Sequence, residues 1–246
     1  MDHADIWDSD AASRYDTPGT GMFAPDVLGP TVERLRTLAA GGRALEMAIG
    51  TGRVAVPLAA TGVPVSGIEL SQPMIDRLRT KADAATIPVV LGDMAVARAE
   101  GRFRLVFLVF NGISNVLTQE AQIAVFENAA RHLEPGGRFV IELWVPDLRR
   151  LPPGRDAAVF TARPGYLGCD VFDPVSQRLV SHHVTFAPDS GTAAHVFRSP
   201  HRYVWPAELD LMARIAGFTL ESRHGGWCDE PFTADSTDHV SVYRLD

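Results

Sequence analysis

From Arg43 to Trp144 short apolar runs alternate with longer amphipathic stretches. The runs at 44–48, 64–69, 89–91, 105–110 and 139–143 predict strands. Positions 54–60, 72–85 and 119–132 predict helices, the last with Ile123, Phe126, Ala130 and Leu133 on one stripe. Strands alternating with helices build a parallel sheet covered on both faces. The punctuation agrees: Ser71 ahead of Pro73 suits the first turn of a helix, and Pro135-Gly136-Gly137 separates a helix from the next strand. Ahead of this region, 25–39 predicts an amphipathic helix and 3–16 a shorter one.

Past Trp144 the pattern becomes β-rich. Strands are predicted at 156–163, 166–173, 178–186 and 194–204, with turns at Asp173-Pro174 and Asp189-Ser190-Gly191. A helix follows at 206–216, with Pro206 in its first turn and Gly217 past its end, and strands at 219–223 and 239–245 close the chain. No internal repeat is present. The pattern is that of one α/β domain: a helical cap at 1–42, a binding core at 43–149, a β-rich lid inserted at 150–204, and a completing segment at 205–246.

The chain has 246 residues and is 46% hydrophobic, enough to bury a full core in a single domain. Its net charge of −7 weighs against a nucleic-acid partner. No apolar run reaches the roughly 18 residues of a membrane span. Asp2, Asp5, Asp8, Asp10 and Asp16 are the wrong chemistry for a signal peptide. Cys169 and Cys228 show no metal-type spacing and fit reduced thiols in a cytoplasmic protein.

The first predicted strand runs into Glu46-Met47-Ala48-Ile49-Gly50-Thr51-Gly52. Glycines here permit a tight turn and close approach of a ligand, and the free N–H groups of the following helix suit an anionic group. Gly50-x-Gly52-x-x-Ala55 alone also fits a dinucleotide fingerprint, or a turn that merely uses glycine. Glu69 ends the second strand nineteen residues past Gly50, where a carboxylate can accept from both ribose hydroxyls. Asp93, in Gly92-Asp93-Met94, can accept from an exocyclic adenine amine, although taken alone a surface turn explains it better. Glu46, Gly50, Gly52, Glu69 and Asp93 all fall at carboxyl ends of strands, where open α/β sheets bind ligands.

Together these segments resemble the class I S-adenosylmethionine-dependent methyltransferases. Leu45–Gly52 is similar to that family's first motif, Gly67-Ile68-Glu69-Leu70-Ser71 to its second, and Gly92-Asp93-Met94 to its adenine-reading motif. Residues 103–107 and 133–139 match the approaches to its fourth and fifth strands. Ala48 departs from the pattern, since the family usually has glycine there. The resemblance implies a Rossmann-like, seven-stranded, mostly parallel sheet with a β-rich lid after strand 5. It implies S-adenosylmethionine as cofactor, S-adenosylhomocysteine as product, and no metal. Glu46 would then fix the glycine loop or the methionine amine, Ala48 and Gly50 would contact the methionine part, and Glu69 would bind the ribose. Leu70 and Met74 would cover the adenine, Asp93 and Met94 would read its edge, and Phe110 would offer its carbonyl near the amine or the sulfonium. Tyr15 belongs to a stretch that folds over the cofactor in such enzymes, with Gly19 and Gly21 allowing it to move as a gate.

For the acceptor, a small molecule is expected rather than nucleic acid, because no Asp/Asn-Pro-Pro-aromatic motif follows the fourth strand. The lid is similar in placement to that of N-methyltransferases acting on amino sugars and related metabolites. Methyl transfer depends largely on positioning, so weak catalytic signatures are expected. Glu142, a carboxylate in an apolar strand, is the candidate acid/base or amine anchor, with a salt bridge as the alternative. His182, on the apolar face of 180–186, is the second candidate, against a satisfied core histidine. Asn111 either orients the acceptor or caps the following helix. Trp144, Tyr166, Trp227, Phe232 and Tyr15 are candidates for the acceptor pocket. An amine or electron-rich aromatic acceptor fits, and a homodimer is left open. The alternatives are a non-catalytic adenosyl-nucleotide-binding protein and a nicotinamide oxidoreductase; for the latter, no tyrosine is followed by lysine four residues later.

Overall fold

Alternation of buried side chains along each core strand sets the architecture. The computed structural model describes residues 7–186 and 195–246. The turn expected at Asp189-Ser190-Gly191 and the start of the helix expected at 3–16 lie outside them. In chain order the elements are α1 (Ser9–Tyr15), α2 (Pro25–Ala39), β1 (Ala44–Met47), α3 (Ala55–Ala60), β2 (Val65–Glu69), α4 (Gln72–Arg79), β3 (Val89–Leu91), β4 (Phe103–Leu108), α5 (Gln119–His132) and β5 (Leu133–Trp144). Then follow β6 (Ala157–Arg163), β7 (Tyr166–Asp173), β8 (Arg178–Thr185), β9 (His195–Arg202), α6 (Pro206–Ile215), β10 (Phe218–His224) and β11 (Asp238–Leu245).

One sheet has the order β10-β11-β5-β4-β1-β2-β3. The five strands β1 to β5 are parallel, and β11 pairs antiparallel with both β5 and β10. This is the expected seven-stranded, mostly parallel sheet. Because both faces are covered, alternate residues feed two cores. Leu45, Met47, Val106, Phe139 and Ile141 pack with Phe126 and Met212, while Ala44, Leu105, Phe107 and Val140 pack with Leu35 and Leu58. The second sheet, β6-β7-β8-β9, is antiparallel throughout. Buried Arg202 at its end reaches Gln122 of α5 and pairs with Glu208 of α6 at 2.7 Å, which fastens the lid to the core.

Four expectations are corrected in detail. The helix from Gln72 stops at Arg79, not 85, because the Arg79 guanidinium gathers the carbonyls of Ala82, Asp83 and Ile87 into a separate turn. β5 begins at Leu133, not 139: Leu133 pairs with Phe103, and Gly136 at φ +71° lets the chain bend within the strand. β4 stops at Leu108, since Phe110 and Asn111 turn to φ +52° and +61°. The α5 face in the core carries Gln122, Val125, Phe126 and Ala129, with Ile123 and Ala130 at its margin.

The turn after β1 holds Ala48 at φ +54°, a region where an L side chain costs about 1–2 kcal/mol. Ala48→Gly is therefore expected to raise the free energy of unfolding by about 0.5–1 kcal/mol, measured by urea denaturation. An unchanged or lower midpoint at equal slope would contradict strain at this residue.

Candidate active site

Strand ends in a parallel sheet leave backbone N–H groups without ladder partners, and side chains of neighbouring strands take them up. Glu69, ending β2, accepts from the Gly50 N–H at 2.8 Å and the Ser71 N–H at 2.9 Å. Its pKa is raised by burial, against those same backbone donors. Gly52 sits at φ +79°, which favours glycine, and a Cβ there would press on Leu78 and Val56 at 3.0 Å. Glu46 on β1 is 3% exposed, and its Oε2 has no hydrogen-bond partner. Burial pushes its pKa up to about 8, although the Arg53 charge acts in the opposite direction. A buried, unpaired carboxyl aimed at a cavity suits a cationic ligand group.

The segment from Trp7 to Phe23 covers this rim. Tyr15 stands edge-on between Trp7 and Phe23. Asp16 accepts from Thr51 Oγ1 at 2.6 Å, Lys81 Nζ at 2.9 Å and Arg77 Nε at 3.1 Å, and the Trp7 carbonyl accepts from Ser71 Oγ at 2.6 Å. Burial alone would raise the Asp16 pKa, but these donors outweigh it and hold it low. Arg53 donates to the Met22 carbonyl and lies over the Phe110 ring at 5.1 Å.

A cavity of about 600 Å³ opens between this rim, the cap and the inner face of the lid. Of the residues expected from sequence, it is lined by Tyr15, Glu46, Ala48, Gly50, Glu69 and Met74, with Phe110, Asn111 and Trp144 toward the lid. Leu70, Asp93 and Met94 are not among its lining. Leu70 is 40% exposed, Met94 packs in the core, and Asp93 accepts from the Ala95 N–H at 2.8 Å in the turn after β3. That turn adjoins the end of β2 through the Gly92 N–H, which donates to the Glu69 carbonyl.

The acceptor-side expectations are placed differently. Glu142 does not line the cavity: its carboxylate accepts from the Phe110 N–H and from Trp227 Nε1, each at 2.7 Å. It braces the β4 turn, and the salt bridge considered from sequence is not its partner. Trp227 is thereby held against the core beside Glu142, and Phe232 packs on His239 at 5.7 Å, away from the cavity. Asn111 accepts from the Trp144 N–H at 2.8 Å and makes no helix cap. His182 sits on the outer face of the lid, with Nδ1 3.2 Å from the Val180 carbonyl. The inner face carries Asp170, Ser181 and His183 instead, with Phe160 and Phe197. Tyr166 stands behind the lining, its hydroxyl bonded to His183 Nδ1. Period-2 alternation did separate the two histidines; the error lay in assigning the apolar face to the cavity.

The comparisons agree with this geometry. Residues 44–137 match the family described as a methyltransferase domain. The chain is 31% identical to the dTDP-3-amino-3,4,6-trideoxy-alpha-D-glucopyranose N,N-dimethyltransferase of Streptomyces venezuelae, covering 92% of this chain and 94% of that protein. It is 28% identical to the cypemycin N-terminal methyltransferase of a Streptomyces species over 98% of each. Among solved structures, the CcbJ methyltransferase of Streptomyces caelestis is similar with a TM-score of 0.83 and 35% identity, covering 99% of this chain and 97% of that one. The chain belongs to the class I S-adenosylmethionine-dependent methyltransferases. It is a transferase, and the nicotinamide alternative is set aside.

The residues present fit the cofactor. The orphaned Glu46 Oε2 suits the ammonium of its methionine part, while Glu69 and the glycine turn offer a carboxylate and open backbone beside it. S-adenosylmethionine supplies the methyl group, carried on a positive sulfur. Because the folded state raises the Glu46 pKa from 4.5 to about 8, the folded protein binds that proton more tightly than the unfolded chain. This contribution to stability is full below about 4.5 and is lost as pH rises toward 8. Glu46→Gln is expected to flatten that decline in the melting temperature of the ligand-free enzyme. It is also expected to weaken cofactor binding about tenfold or more in calorimetry. Retention of both the pH slope and the affinity would contradict the assigned role.

Proposed function

We propose that this methyltransferase acts on an amine nitrogen of a small molecule in natural-product biosynthesis, either an amino sugar or an amino-acid-derived amine. The observation that carries this reading is the single cavity running from Glu46 and Glu69 to the lid face bearing Asp170, Ser181 and His183. A carboxylate and an imidazole there suit an acceptor that arrives as an ammonium ion and must lose a proton before it attacks. In-line displacement at the methyl carbon needs the acceptor held opposite the sulfur and shielded from water. The cap and lid supply both walls. A purely nucleotide-binding role would not require space beyond the cofactor rim. The two curated relatives described above are an N,N-dimethyltransferase and an N-terminal methyltransferase, which also favours nitrogen.

The test is a labelled-methyl screen with dTDP-linked amino sugars, unblocked peptides and cyclic secondary amines, alongside hydroxyl and phenol counterparts. Label is expected on nitrogen, located by NMR. Label found solely on oxygen or carbon, or none on any amine, would overturn the reading.

A further inference from the structure

The buried and half-buried carboxylates of this enzyme outside the cofactor rim are almost all spoken for by cations or backbone. Asp16 is bonded to Lys81 and Arg77, Glu208 to Arg202, and Asp210 to Arg223. Glu142 holds a backbone N–H and an indole. Asp170 stands apart. It lies half-buried on the inner face of β7 and lines the cavity. Its Oδ1 accepts from Ser181 Oγ at 2.6 Å, and among the described residues no lysine or arginine pairs with it. A carboxylate withdrawn from water without a cation is costly unless a ligand brings one.

Its neighbour completes the arrangement. In the lid register Asp170 pairs with Ser181, and Ser181 with Ser199; one step along, Gly168 pairs with His183, and His183 with Phe197. Phe160 fills the space over Gly168, where a Cβ would come 2.3 Å from its ring. Aromatic rings of Phe160 and Phe197 thus flank the His183 imidazole at 5.7 and 5.6 Å. The Tyr166 hydroxyl holds Nδ1, which leaves Nε2 as the ring's remaining polar atom.

We infer that Asp170 recognises the acceptor amine as its ammonium ion and that His183 takes the proton that frees the nitrogen lone pair. This rests on the N-methyltransferase reading given above. The ammonium gives one proton to His183, which passes it to solvent. The nitrogen lone pair then forms the N–CH3 bond as the S–CH3 bond breaks, and that bonding pair remains on sulfur. Burial lowers the His183 pKa, partly offset by the Asp170 charge, so the imidazole is neutral and able to accept near pH 7. The groups around it are Asp170 and Tyr166 on β7, Phe160 on β6, His182 beside it on β8, and Phe197 and His201 on β9. Across the cavity stand Tyr15, Glu46, Arg53 and Glu69.

The experiment uses the amine best methylated in the screen above and the full-length enzyme. Asp170→Asn is expected to raise the KM for that amine tenfold or more, while S-adenosylhomocysteine affinity by calorimetry stays unchanged. Asp170→Glu should recover part of the loss. His183→Gln is expected to lower kcat tenfold or more at neutral pH. That loss should shrink as pH approaches the amine's own pKa, where the acceptor arrives neutral. An unchanged amine KM in Asp170→Asn, or a His183→Gln defect independent of pH, would overturn the inference while leaving nitrogen transfer intact. If no amine is methylated by the unaltered enzyme, the broader reading falls, and this inference with it.

Discussion

The carboxyl rim of the sheet depends on one constraint: backbone N–H groups that leave a parallel ladder must find acceptors where no strand continues. Acidic and amide side chains of adjacent strands meet it. Glu69 of β2 holds the β1 turn through Gly50, and Glu142 of β5 holds the β4 turn through Phe110. Asn111 answers in the other direction by accepting from Trp144, while its own N–H donates to the Glu142 carbonyl. The turns after β1 and β4 are therefore each fixed by a side chain of the strand beside them. Phe110 and Asn111 can hold positive φ, and Ala48 with them, because their surroundings over-determine the conformation. Glu46 is the exception that makes a site. It is as buried as Glu69 and stands on the neighbouring parallel strand, yet one oxygen is left without a donor.

The cap applies the same economy on the other side of the cavity. Asp16 collects a hydroxyl from Thr51 of the β1 turn and two cations, Arg77 of α4 and Lys81 just past its end, so its charge is spent on closing the segment rather than on ligand. Tyr15, one residue earlier, faces inward, and burial pushes its phenol up to about 12, opposed by Arg53. It is thus a neutral hydroxyl and an apolar wall throughout the physiological range. Adjacent residues on this strap divide the work: one latches it, the other lines the cavity.

Part of the rim was legible in sequence because its geometry is local, although Leu70, Asp93 and Met94 fall outside the cavity. Glu46, Gly50 and Glu69 lie within a few residues of strand ends, and a strand end can be read from apolar runs and glycines. The helix bounds at Pro25–Ala39 and Gln119–His132 were legible because each carries an amphipathic stripe along its own length. The acceptor half was not. A carboxylate in an apolar strand suggests chemistry, but Glu142 serves two donors from segments 32 and 85 residues away, which no local pattern reveals. In β8 alternation offers two faces, and His182 or His183 follows from which face docks toward the core. The outer face bears Val180, His182 and Val184, so the rule that apolar residues point inward selected the wrong side of a thin, open sheet. Asp170 escaped notice because its meaning lies in the absence of a cation opposite it.

The separation of these two halves also explains how one scaffold can accommodate different acceptors. The family match covers 44–137, from β1 into the first residues of β5, which takes in Glu46, Gly50 and Glu69 but neither the cap nor the lid. Residues of the rim are coupled: altering Glu69 releases Gly50, and altering Glu142, just past the matched span, releases Phe110. The lid is joined to the core through Arg202 and its partners at one end, while its inner face meets the cavity along the rows Asp170–Ser181–Ser199 and Gly168–His183–Phe197. Side chains in those rows can change without disturbing a strand-end turn, because cross-strand backbone bonds carry the lid's own fold. Relatives whose names specify an amino sugar and a peptide N-terminus align with this chain over more than nine-tenths of its length. On the proposed reading, the physical place for such a difference is the lid's inner face, where side chains can vary without dismantling the rim.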